Sequence, residues 1–166
     1  MNNDALVGYS GLVGTNLNRQ HTFGHLYNSK NINGIKEKSF DRMVLAAVQA
    51  KKWWANLHPE EDWAQIEKLL EPLARAQAKQ VILISTIDIL PDQPGADEDT
   101  DPHDYDTHAY GQHRLRVEDE IRRLFESVLI VRLPGLFGPG LKKNVIFDLL
   151  HNNQPEKINP ESQIQY

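Results

Sequence analysis

A doubly wound α/β sandwich, with helices on both faces of a central parallel sheet, is the fold class that three features of this 166-residue sequence predict. Short apolar runs alternate with helix-spaced stretches, as βαβ units require. The interior runs at 80–85 and 128–133 are almost continuously apolar, which suits strands buried on both faces. The first run, Ala5-Leu6-Val7, passes at once into Gly8-Tyr9-Ser10-Gly11-Leu12-Val13-Gly14, with glycines three apart where a strand would turn into a helix.

In chain order the strands are expected at 5–7, 22–27, 42–47, 80–85 and 128–133. A helix should occupy 59–78, because Trp63, Ile66, Leu69, Leu70, Leu73 and Ala76 recur at helical spacing behind Pro59, a residue suited to a first turn. Pro72 lacks an N–H and is expected to kink or restart that helix. A second helix is expected over 110–125, with Tyr110, Arg114, Val117, Ile121 and Leu124 along one side. Between the fourth strand and this helix, residues 90–106 are rich in Pro, Asp and Glu and read as a polar loop at the ligand-bearing end of the sheet. Residues 151–166 are weakly patterned, and Gln163-Ile164-Gln165-Tyr166 reads as the start of a further strand.

Composition narrows the chemistry. With no cysteine, disulfides, zinc-thiolate sites and cysteine nucleophiles are excluded, and a cytoplasmic location fits. Eighteen Lys and Arg against 23 Asp and Glu give a net charge of −5, which disfavours nucleic acid as a partner. No apolar run reaches the roughly 18 residues of a membrane span, so no membrane partner is expected. The acidic run from Asp97 to Asp104 resembles a calcium loop only at first: its sixth position is Pro102, where the turn needs Gly, and its twelfth is His108, where a bidentate Glu belongs. No metal is expected.

The glycine turn is suited to a dinucleotide. A strand-to-helix turn leaves the first helical N–H groups aimed outward, and side chains at Gly8, Gly11 or Gly14 would obstruct the turn, the pyrophosphate or helix packing. Three later features appear in a telling order: Ile84-Ser85-Thr86 closing a strand, Tyr110-Gly111-Gln112-His113-Arg114 opening a helix, and Arg132-Leu133-Pro134-Gly135-Leu136-Phe137-Gly138-Pro139-Gly140 after the next strand. With these, the sequence resembles the extended branch of the short-chain dehydrogenase/reductase superfamily, the NAD(P)-dependent nucleotide-sugar epimerases and dehydratases. The resemblance implies a Rossmann-type three-layer sandwich. It also implies catalytic roles for Thr86 and Tyr110, with Arg114 standing where the family has Lys. A phenol titrates near ~10, so a neighbouring cation is needed to favour phenolate, and Arg114 is expected to lower the Tyr110 pKa. Unlike Lys, Arg does not release a proton.

The same resemblance places the cofactor against Gly8, Ser10, Gly11, Leu12, Val13 and Gly14, against Ala46 and Ala47, and with Pro134 and Leu136 beside the nicotinamide. At the end of the second strand, Asn28, Ser29 and Lys30 stand where NAD-selective members carry an acidic residue, which favours NADP over NAD. Lys142, Lys143 and Asn144 lie at the family's substrate loop and are candidates for a diphosphate, with a solvated basic turn as the competing account. Lys51-Lys52-Trp53-Trp54 after the third strand could meet a phosphate or simply pack. The family implies a homodimer through the 59–78 and 110–125 helices, and a second lobe that this chain, ending at Tyr166, largely lacks; residues 1–166 are then a single NAD(P)-binding domain. Two functions stay open: an oxidoreductase, epimerase or dehydratase acting on a carbinol carbon of a nucleotide-sugar, or a non-catalytic NAD(P)-binding sensor or scaffold.

Overall fold

The computed structural model describes residues 2–90, 95–142, 144–153 and 155–157. Five parallel strands form one sheet: β1 (Asp4–Val7), β2 (His25–Tyr27), β3 (Ser39–Leu45), β4 (Gln77–Thr86) and β5 (Val128–Leu133), in the spatial order β2-β1-β3-β4-β5. Five α-helices accompany them: α1 (Leu12–Gln20), α2 (Lys52–Leu57), α3 (Pro59–Leu73), α4 (Ala109–Leu124) and α5 (Val145–Leu150). From the centre the chain winds first towards β2 and then the opposite way towards β5. Right-handed crossovers in opposite directions place α1 on one face and α3 and α4 on the other, which is the doubly wound arrangement.

Alternation along each strand decides which residues meet those helices. Ala5, Val7, Met43, Leu45, Val81 and Leu83 form one core with Ile66 and Leu73 of α3 and with Val117 and Ile121 of α4. Leu6, fully buried, points to the opposite face, where α1 packs on β1. The register aligns the carboxyl ends: Val7 lies opposite Tyr27 and Leu45, Leu45 opposite Leu83, and Thr86 opposite Leu133. Every turn expected to carry chemistry therefore leaves the sheet at the same edge.

The elements differ from the expected ones in several places. Residues 22–24 are not strand; a Cβ on Gly24 would lie 2.0 Å from the Asn2 carbonyl, so the chain passes close to its own start there before β2 begins. Ala46 and Ala47 fall beyond β3, in the turn over Gly8. α3 does not restart after Pro72: the proline lies in its last turn, the helix ends at Leu73, and Ala74 closes it by donating to the Leu70 carbonyl. Residues 77–78, expected as helix, already pair with Ser39 and Phe40 as the start of β4. The strand expected at 163–166 lies outside the described residues.

Candidate functional site

The winding reverses between β1 and β3, and in open α/β sheets the crevice at such a reversal is where ligands bind. Gly8 sits in it with φ +94°, donating its N–H to the Tyr27 carbonyl at 2.8 Å. A Cβ on Gly8 would lie 2.2 Å from the Ala46 carbonyl oxygen, and one on Gly14 would lie 2.1 Å from the carbonyl oxygen of Gly8. Both glycines are demanded by backbone packing. Gly11 is not: its Cβ would lie 3.5 Å from the Gly8 carbonyl oxygen, an ordinary contact. Gly11 is the N-cap of α1, with no side-chain cap and no acidic residue in the first turn of this nine-residue helix. The first N–H groups of α1 are thus left to an external acceptor.

The other expected cofactor residues gather around this turn. Leu12 and Val13 line a groove of about 300 Å³ with Leu136, Phe137 and Pro139, so the α1 entrance and the loop after β5 form its two walls. Asn16 ties those walls together by donating to the Pro139 carbonyl at 3.0 Å. Ser10 and Pro134 are exposed, as are Ser29 and Lys30 beyond β2. Asn28 donates to the Tyr9 hydroxyl at 3.0 Å and accepts the Lys30 N–H at 2.9 Å, joining the end of β2 to the glycine turn. Of the expected substrate residues, Lys142 is exposed and Lys143 lies outside the described residues. Asn144 caps α5, accepting from the Phe147 N–H and donating to the Leu136 carbonyl, which engages its side chain within the fold.

Thr86 and Tyr110 come from different elements to the same edge. Thr86 ends β4, and Tyr110 opens α4, its N–H held by Asn56 Oδ1 at 2.9 Å. Gly111 makes the approach possible: a Cβ there would lie 2.4 Å from the Asp88 carbonyl oxygen. Arg114 follows one turn later, but the structure places it differently from expectation. Only 4% exposed, it pairs through both terminal nitrogens with the Asp62 carboxylate and donates to the Gln49 carbonyl. Its guanidinium carbon lies 4.0 Å from the Tyr110 ring centre. The cation therefore stacks on the ring and is tied to α3. Its charge does favour phenolate, yet burial of Tyr110 dominates, assisted by the Asp88 and Asp62 carboxylates, and the Tyr110 pKa rises above 10.0. Arg114 thus acts on Tyr110 in the expected direction but does not set the outcome, because burial carries the phenol up.

Another turn along the same face, Glu118 is fully buried, accepting from Ser85 Oγ at 2.6 Å and from Arg132 Nη2 at 2.9 Å. These bonds lock the ends of β4 and β5 against α4. Among the described residues no group of three or more His, Asp or Glu side chains is placed to hold a metal ion. None of their helices is long and apolar enough to cross a membrane.

The model of the NAD dependent epimerase/dehydratase family matches residues 12–160. The chain belongs to this family. No curated protein matches it. Among solved structures, dTDP-4-dehydrorhamnose reductase from Yersinia enterocolitica superposes with a TM-score of 0.72 at 14% identity, covering 95% of this chain and 61% of that one. The Bacillus anthracis str. Ames dTDP-4-dehydrorhamnose reductase in complex with NADP gives 0.73 at 17%, covering 92% and 60%. MoeE5 in complex with UDP-glucose and NAD gives 0.66 at 18%, covering 93% and 62%. The chain thus spans about three fifths of the length of these structures, and at such identities the likeness is one of fold.

Three residues near the epimerase/dehydratase crevice carry interactions that the sequence pattern did not assign. Asp62 had the look of an ordinary first-turn carboxylate on α3. Asp88 forms a turn with Thr86, a signal present in the Thr-x-Asp spacing. Lys52 pairs with Asp88 rather than lying loose in a basic run, while Trp54 stacks on His58 at 5.4 Å.

Proposed function

We propose that this chain binds NADP, or NAD in its place, along the 8–14 turn, and transfers hydride to or from the carbinol carbon of a nucleotide-sugar. What carries the reading is Gly11, a glycine that packing does not require at the uncapped start of α1, where its missing side chain leaves room for a pyrophosphate. Leu12, Val13 and Leu136 would wall the nicotinamide side, with Pro134 at its rim and Ala46 and Ala47 over the turn. Ser29 and Lys30 would meet a 2′-phosphate, since no carboxylate follows β2 to repel it. The bound cofactor supplies or accepts the hydride.

Tyr110 is the acid/base group and Thr86 the hydroxyl that orients the reacting oxygen. In the direction of reduction, as hydride reaches a carbonyl carbon, Tyr110, whose pKa burial raises, gives its phenolic proton to the oxygen. The phenolate so formed lies against the Arg114 guanidinium. Lys142, Lys143 and Asn144 are the candidate contacts to a substrate diphosphate. The family resemblance supports a homodimer through α3 and α4, and the cysteine-free sequence suits the cytoplasm.

The test is calorimetric titration with NADPH and NADH, then assay of NADPH oxidation with keto-sugar nucleotides. NADPH should bind more tightly. Tyr110→Phe should lower turnover by about 10²- to 10⁴-fold while cofactor affinity is retained. No binding of either cofactor refutes the reading. Binding without turnover would select the sensor or scaffold, which one observation favours: the Arg114 guanidinium is engaged by Asp62 and the Gln49 carbonyl.

A further inference from the structure

Thr86 Oγ1 accepts the Asp88 N–H at 3.1 Å and donates its single hydrogen to Asp88 Oδ2 at 3.2 Å. A threonine hydroxyl has one hydrogen and two lone pairs, so held this way it meets an incoming ligand only as an acceptor. Orienting a carbonyl oxygen, or stabilising an oxyanion, requires that the hydrogen turn from Asp88 to the ligand. How firmly Asp88 keeps it is set at its other oxygen, where Lys52 Nζ lies 2.7 Å from Oδ1. Lys52 opens α2 just beyond β3, so the line Lys52–Asp88–Thr86 runs across the carboxyl edge of the sheet. Both charged side chains keep solvent access, at 49% and 33%, and an ion pair so exposed adds little to stability.

We propose that Lys52 and Asp88 are a positioning pair that decides whether the Thr86 hydrogen is available to a bound carbonyl oxygen. This rests on the reading that Thr86 and Tyr110 face the reacting atoms. With Lys52 in place the Asp88 charge is shared, and the Thr86 hydrogen can exchange from one acceptor to another. Without Lys52 the uncompensated carboxylate holds the hydrogen, because a hydrogen bond to a full charge is the stronger one. Arg114 cannot substitute, being bound to Asp62 and Gln49.

Charged or titratable groups reach this locus from every neighbouring element: Lys52 from α2, Asp62 from α3, Asp88 from the segment after β4, His108 from the N-cap of α4 and Arg114 from α4 itself. Asp88 and Asp62 both act to raise the Tyr110 pKa. Asp88 therefore has a readout in Tyr110 that does not depend on catalysis.

The experiment uses the full chain with NADPH and compares Lys52→Met, Lys52→Arg, Asp88→Asn and the Lys52→Met/Asp88→Asn double variant. Lys52→Met should lower kcat about tenfold or more with NADPH affinity unchanged, and Lys52→Arg should restore most of it. The double variant should recover activity relative to Lys52→Met, since the carboxylate that needed neutralising is gone. A loss that persists in the double variant would overturn the proposal. Independently, alkaline titration of tyrosinate absorbance, taken as the difference from the matching Tyr110→Phe protein, should move down in Asp88→Asn. An unmoved midpoint in Asp88→Asn would also overturn the proposal, even in a protein that shows no turnover. Failure to bind NADPH speaks against the proposed function alone and leaves this titration to judge the pair.

Discussion

Asp62→Ala should lower stability by about 3–5 kcal/mol, read from urea denaturation, because it strands a buried cation. Asp62 and Arg114 are 4% exposed each, and Arg114 Nε already has no hydrogen-bond partner among the described residues. Without the carboxylate, the guanidinium keeps only the Gln49 carbonyl and the face of Tyr110. His113 Nδ1, 2.9 Å from Asp62, loses its partner as well. Asp62→Leu with Arg114→Met, which removes both charges and fills the volume, should cost far less, since the attraction in a buried pair mostly offsets its desolvation. A loss below about 1 kcal/mol for Asp62→Ala would mean that solvent reaches the pair. The pH dependence has a definite sign. Burial raises the Asp62 pKa, but hydrogen bonds from Arg114 and His113 outweigh it and hold the pKa below 3.8. The stability it contributes is thus complete above 3.8 and is lost as pH falls through the depressed value. Stability of Asp62→Asn should lack that acid limb.

The glycine turn supplies the second large effect, through a contrast between two positions. Gly14→Ala should destabilise by about 3 kcal/mol, because its Cβ meets backbone at 2.1 Å that cannot give way by side-chain rotation. Gly11→Ala should fold with nearly unchanged stability and lose at least about tenfold in NADPH affinity by calorimetry. Equal NADPH affinity in Gly11→Ala and the parent would remove the main support for a pyrophosphate at this turn.

The sheet was legible because its strands carry short, dense apolar runs: β5, an edge strand with Leu129 exposed, falls at the residues where its run suggested, and β4 around its own. The three-residue β2 was overdrawn because period-two hydrophobicity has no meaning over so short a span. α2 escaped notice for a related reason, being six residues without a capping side chain. The site divides differently. Gly8 and Gly14 were readable since a glycine at a strand-to-helix turn has a local cause, whereas the fate of Arg114 depends on Asp62, 52 positions away, and spacing along one helix carries no trace of it. Tyr110 shows the same limit: its pKa is raised by what packs over it, which no window of sequence contains.

Tyr110, Arg114 and Glu118 stand four residues apart on α4, each fastened to a different part of the molecule: Asn56 of α2, the α3 carboxylate, and the paired ends of β4 and β5. An α-helix turns by about 100° per residue. One residue added between Tyr110 and Glu118 would swing one end of that row away from its attachments while the other stayed in place. Over these nine positions the protein can therefore vary in chemistry, one side chain at a time, but not in length.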